Sequence, residues 1–215
     1  MGLIKPHRVP DFLQRYFSSF VFKKDVREPT IYLTFDDGPI PEVTPWVLSC
    51  LKDFEAHATF FMVGDNVRKH PEVFKQVLEE GHLVGNHTFN HLKGWSESNA
   101  DYLENIGLCQ KYFDEVRLEE NSFQKPLFRP PHGQIKPSQV KKIRDSYKII
   151  LWDVLTCDYD QSLQPEEILE KTIELTRSGS ILVFHDSLKA ERNVKFVLPR
   201  YISHFKSLGF KFETL

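Results

Sequence analysis

The sequence carries little net charge, few cysteines and no long apolar run. Lys and Arg number 28 against 30 Asp and Glu, a formal net charge of −2 with His neutral. No excess of cations is available to pair with phosphates, so a charge-driven nucleic-acid binder is excluded. Cys50, Cys109 and Cys157 are the only cysteines, far apart and without a CxxC pair. They cannot form a closed disulfide set and read as small core residues in a reducing compartment. Near the N-terminus the longest unbroken apolar run is Phe20-Val21-Phe22. That is too short for the apolar region of a signal peptide or for a membrane span. The expectation is a cytoplasmic protein, peripheral to a membrane at most. Repeats, low-complexity tracts and Gly/Ser linkers are missing too. What is present excludes disorder: 215 residues with 18 Phe can bury a substantial core in a single domain. Oligomeric state is left open.

Residues 1–29 read as an amphipathic extension. Val9, Phe12, Leu13, Tyr16, Phe17 and Phe20 recur at helical spacing, flanked by Lys5, Arg8, Arg15, Lys23 and Lys24. Such a helix docks on the body of the domain, or lies on an anionic membrane surface through residues 9–24. From residue 30 to 215, short apolar runs alternate with helical patterns. Strands are expected at Thr30–Phe35, Ala58–Val63, Leu83–Val84, Lys148–Trp152, Ser180–Phe184 and Phe210–Thr214. Helices are expected at Pro45–Phe54, Pro71–Glu80, Ser98–Arg117, Pro137–Ser146, Pro165–Arg177 and Val194–Leu208. Runs such as Ile181-Leu182-Val183-Phe184 are apolar on both faces, which suits a parallel sheet covered by helices. The class is α/β. A full eight-unit barrel typically needs ~250 residues, so six or seven units fit better. Functional groups then belong at the C-terminal ends of the strands.

Polar clusters fall at those ends. Asp36-Asp37-Gly38-Pro39 follows the first strand. Adjacent carboxylates reach one pocket only if the strand breaks there, which Gly38 and Pro39 permit. His87 and His91 are four apart, on one face if the turn is helical, a spacing suited to one metal ion. With Asp37 they offer three protein ligands and leave open positions, as catalytic metal sites do. Arg129-Pro130-Pro131-His132-Gly133 mounts a permanent cation on a rigid segment, able to pair with Asp36. The remaining clusters are Trp152-Asp153-Val154-Leu155-Thr156-Cys157-Asp158-Tyr159 and His185-Asp186. His185 is a natural proton donor if a carboxylate holds its ring, and Asp158 and Asp186 compete for that task.

Taken in order, these clusters resemble the NodB-homology polysaccharide deacetylases, carbohydrate esterase family four. The resemblance spans roughly Thr30 to Leu215 and rests first on TFDDGP and HTFNH, then on RPPHG and the strand-end His. It implies a distorted (β/α)7-type barrel. It implies Asp36 as general base, Asp37, His87 and His91 as metal ligands, and Arg129 as the group that keeps Asp36 ionised. It further implies Asp158 behind the general acid His185, the His132 N–H as oxyanion donor beside Pro130, and Val183 in the acyl pocket. One divalent metal is expected: zinc, with cobalt, nickel or iron(II) also suited. The implied reaction is metal-assisted hydrolysis of an N-acetyl group on an amino sugar of a peptidoglycan- or chitin-type glycan.

The chain departs from the family pattern in four places. His132 stands where Tyr or Phe is usual, Leu155 replaces an Asp, Tyr159 replaces a Trp, and Val183 is smaller than the usual Leu. Other readings remain: a deformylase or deacetylase of a lipid-linked amino sugar, an amidase of a small metabolite, or a carbohydrate-binding relative without catalysis. A glycosidase would need its carboxylates roughly 5–9.5 Å apart across a sugar and no metal. A two-His, one-carboxylate iron oxygenase would leave Asp36, Arg129 and His185 without roles.

Overall fold

The computed structural model describes residues 7–10, 17, 19–116 and 125–215. Its strands are β1 (Phe20–Val21), β2 (Thr30–Asp36), β3 (Ala58–Met62), β4 (Leu83–Asn86), β5 (Leu127–Phe128), β6 (Lys148–Ile150), β7 (Val154–Leu155), β8 (Ile181–His185) and β9 (Lys211–Phe212). The helices are α1 (Thr44–Asp53), α2 (Gly64–Lys69), α3 (Pro71–Glu79), α4 (Asn99–Val116), α5 (Pro137–Ile143), α6 (Pro165–Leu175) and α7 (Glu191–Ser207). Proline occupies the first turn of α1, α3, α5 and α6. Its fixed φ suits that position and its missing N–H costs nothing there.

All strand pairs are parallel, in the order β1-β6-β5-β4-β3-β2-β8-β7, with β9 beside the start of β2. The sheet curls into a distorted (β/α)7-type barrel, a single domain. Side-chain alternation along β2 divides its work. Ile31, Leu33 and Phe35 face the helices in the main core, where Phe35 stacks on Phe60 of β3 and Phe184 of β8 at 4.9 and 5.8 Å. Tyr32, Thr34 and Asp36 point the other way, into the curl. Every residue of β2 is buried, as expected of a central parallel strand.

Three local expectations change. The helical stripe over Val9–Phe20 falls largely on residues 11–16 and 18, outside the described ones. Its last member, Phe20, lies in β1 and pairs with Ile149 of β6. The aromatic and β-branched run Phe20-Val21-Phe22 suits a pleated edge better than a helix end. Val9 donates its N–H to the Asp153 carbonyl, Leu155 donates to His7, and Lys23 bridges Ser180, so the described residues on either side of 11–18 pair with the β7 and β8 side of the sheet. Second, α2 and the two-residue strands β5 and β7 were not expected. Third, residues 87–91 are a loop and not a helical turn, with Thr88 and His91 at φ 62 and 56. Among the described residues no helix is long and apolar enough to cross a membrane.

Candidate active site

β2 and β8 are neighbours, and their register sets Asp36 opposite His185. Both side chains therefore emerge on the same side of the sheet, at its C-terminal edge. Around them opens a cavity of about 600 Å³. Asp36, Asp37, His87, His91, His132 and His185 line one part of it; Trp152, Leu155, Tyr159 and Val183 form a wall.

Asp36 is buried and held by Arg129, whose Nη1 donates to its Oδ1 at 2.6 Å. The same nitrogen donates to the Thr34 hydroxyl at 2.7 Å, and the remaining donors reach the Ile150 and Leu151 carbonyls at 3.4 and 3.1 Å. The guanidinium lies 4.0 Å from the centre of the Phe61 ring, a cation–π contact. Arg129 is thus fully buried behind Asp36 and does not line the cavity. Leu155 is not one of its partners. Four of its five N–H groups have acceptors without an acid at position 155.

After Asp36 the strand breaks. Asp37 adopts φ 85, and Asn66 Nδ2 donates to its carbonyl at 2.8 Å. Gly38 donates its N–H to Asp186 Oδ1 at 3.0 Å, while the Thr44 hydroxyl donates to Asp186 Oδ2. A Cβ on Gly38 would lie 2.1 Å from that carboxylate oxygen, which is why glycine is required there. The Asp186 N–H returns to the Asp36 carbonyl at 3.2 Å. Asp186 therefore braces the carboxylate turn. Its burial lifts its own carboxyl to about 7, opposed by Thr44 and reinforced by the charge of Asp37.

The task of holding His185 falls to Asp158. Its Oδ1 lies 2.7 Å from His185 Nδ1, and its Oδ2 accepts the His185 N–H at 2.8 Å. Burial opposes charge on the imidazole, but Asp158 outweighs it and raises the ring to about 9. The Tyr159 ring meets His185 edge-on at 4.9 Å.

Asp37, His87 and His91 converge, their donor atoms all within 4.8 Å of one another. His91 Nε2 lies 3.2 Å and His87 Nε2 3.9 Å from Asp37 Oδ1. Two donors bonded at about 2.0–2.2 Å to one ion can span such distances. His87 Nδ1 sits 2.7 Å from the Arg129 carbonyl, an acceptor only, so Nδ1 carries the proton and Nε2 presents its lone pair. Burial lowers this ring to about 4 and keeps it neutral, as a ligand must be. Burial also disfavours charge on Asp37, yet the His91 contact and the other imidazoles hold its carboxyl well below the usual range. Two imidazoles and a carboxylate fit a divalent metal.

RPPHG follows β5 directly, and its last three residues, Pro131–Gly133, form a single 3₁₀ turn. The turn's hydrogen bonds run from Gly133 to Pro130 and from Gln134 to Pro131, and neither uses the His132 N–H. Pro130 is buried and sets the turn without lining the cavity. The His132 ring lies edge-on to His91 at 4.8 Å, and burial followed by the charge of His91 lowers its pKa. Ser187 and Lys189 also line the cavity but were not singled out from the sequence, and Trp152 was noted without a role. Their position immediately after strands β6 and β8 was the available signal.

Side chains from several strand ends meeting over a parallel curl are the layout of a barrel enzyme. A polysaccharide deacetylase family model matches residues 23–148. A peptidoglycan-N-acetylglucosamine deacetylase of Bacillus cereus is 37% identical over 190 residues, covering 87% of each chain. A chitooligosaccharide deacetylase of Azorhizobium caulinodans is 30% identical over 160 residues, 74% of each. The solved Bc1960 peptidoglycan N-acetylglucosamine deacetylase superposes with a TM-score of 0.86 at 27% identity, covering 96% of this chain and 95% of that one. The chain belongs to the polysaccharide deacetylase family.

Proposed function

We propose that the protein is a metal-dependent N-deacetylase of glycans carrying N-acetylated amino sugars. The observation that carries this reading is the register pairing of Asp36 with His185 across β2 and β8, with the Asp37–His87–His91 cluster beside them. Asp37, His87 and His91 would hold the metal, zinc by preference. When bound it supplies Lewis acidity, which lowers the pKa of water and polarises an acyl oxygen.

The remaining work belongs to the chain. Arg129 occupies Asp36 Oδ1, which leaves Oδ2 to accept the proton of the attacking water. Charge developing on the acyl oxygen meets the His132 N–H. As water oxygen bonds to the acyl carbon, the C–N bond breaks and the amine needs a proton. His185, charged because of Asp158, donates it from Nε2. The products are acetate and a free amino sugar. Val183 and Leu155 bound a small acyl group, and a cavity of about 600 Å³ accommodates a sugar unit.

The test is acetate release by the metal-reconstituted protein from chitooligosaccharides and peptidoglycan fragments, with formate followed on a lipid-linked formamido sugar. Acetate from the glycans supports the reading. Formate alone, or neither product, contradicts it.

A further inference from the structure

The loop over residues 87–91 carries two of the three proposed metal ligands, yet no regular element holds its shape. Thr88 and His91 sit in the left-handed region at φ 62 and 56, where side chains are disfavoured. The N–H groups of such a backbone need partners from elsewhere. His87 donates to the Met62 carbonyl of β3 at 3.0 Å, and Thr88 to Asn86 Oδ1 at 2.9 Å. The Thr88 and Phe89 carbonyls accept from Gly64 and Asp65 at the start of α2, both at 3.0 Å.

The Phe89 and Asn90 N–H groups turn to a single atom, Asn105 Oδ1 on α4, at 2.8 and 2.9 Å. Two donors aimed at one atom require it to be the amide oxygen, which fixes how this side chain is turned. Its Nδ2 then donates to Asn90 Oδ1 at 2.8 Å. One half-buried side chain thus holds the two residues immediately before His91. The next residue of α4 is tied to the strand end, because Asn86 Nδ2 donates to the Ile106 carbonyl at 2.9 Å. Asparagine is a poor helix former, and Asn105 lies well inside the 18-residue α4. Its side chain serves the loop and not the helix. His91 has most to lose from a loop that moves. The buried His87 ring has a second anchor in the Arg129 carbonyl. The His91 ring is about a third exposed, and among the described residues its only polar side-chain contact is with Asp37.

We infer that Asn105 is a positioning residue for the metal, fixing the loop so that His91 meets Asp37 and His87. This rests on the reading of those three residues as the metal site. The test is zinc affinity of the metal-stripped protein, by competition with a chromophoric chelator. Asn105→Ala removes the acceptor and should weaken zinc binding roughly tenfold. Asn105→Asp keeps one oxygen for both N–H groups and a second for a turned Asn90 amide, so its affinity should stay within about twofold. A role in the helix alone predicts the opposite order, since alanine favours a helix and aspartate does not. Unchanged affinity in Asn105→Ala, equal losses in both variants, or an Asn105→Ala chain that no longer folds overturns the inference. Zinc binding by the unsubstituted protein tests the metal site itself. Its absence would sink that reading and this inference together, whereas equal binding by Asn105→Ala sinks this inference alone.

Discussion

The charge on His185 is the work of Asp158. Burial alone would favour the neutral ring, and the bidentate carboxylate reverses that. A raised pKa means the acid form persists below about 9 and is lost as pH rises through it. A bound dication at Asp37 pulls in the other direction, so the alkaline limb of kcat should fall at or below about pH 9. Asp158→Asn removes the stabilising charge and should move that limb down by roughly one to three units, read from the kcat–pH profile. An unmoved limb would take the acid role from His185. A second residue-scale expectation concerns Leu155. Arg129 already has Asp36, Thr34 and two carbonyls as partners. Leu155→Asp should therefore bring no gain in kcat/KM. A severalfold gain would mean that the guanidinium network is incomplete. At this scale the sequence was most legible where chemistry needs a residue type: Asp36, Asp37, His87, His91 and His185 all face the cavity. Spacing alone did not choose between Asp158 and Asp186, because side-chain direction after a strand break has no periodic signal; the family resemblance pointed to Asp158. Trp152, Ser187 and Lys189 escaped for a similar reason, since residues that only shape a wall carry no diagnostic spacing.

The turn after β2 shows what an element contributes. Asp37 can aim at His91 only because its backbone is held at φ 85, with Asn66 on its carbonyl and Asp186 on the next N–H. Asp186 is itself fixed by Thr44 and by the β8 end, so it cannot retreat from an added methyl group. Gly38→Ala should lower metal affinity at least severalfold in a competition titration and cost about 1–3 kcal/mol in denaturant unfolding. Retention of both values would show that the turn tolerates movement. The long buried strands and Pro-initiated helices were legible from apolar runs and breakers. The two-residue strands β1, β5 and β7 have no period to read and exist because neighbouring strands offer an edge. The His87–His91 pair is instructive. Its spacing pointed to a shared ion through a helix, yet the loop brings the rings together through left-handed residues at 88 and 91.

At the scale of the whole molecule, a parallel curl gathers groups far apart in sequence onto one rim. Asp36, Arg129, Asp158 and His185 come from four separate strand ends or the loops after them. The order β1-β6-β5-β4-β3-β2-β8-β7 puts β2 and β8 at neighbouring positions, so the proposed base and acid are joined by sheet register and not by a flexible loop. That arrangement divides the labour: Asp37 with the two imidazoles for the metal, Asp36 for the proton. The most direct test measures both in one sample of Asp36→Asn, as metal content per chain and as acetate released from an N-acetylated glycan. The account predicts full metal occupancy with kcat reduced by about 10²–10⁴. Near-normal turnover, or metal lost along with activity, would contradict it.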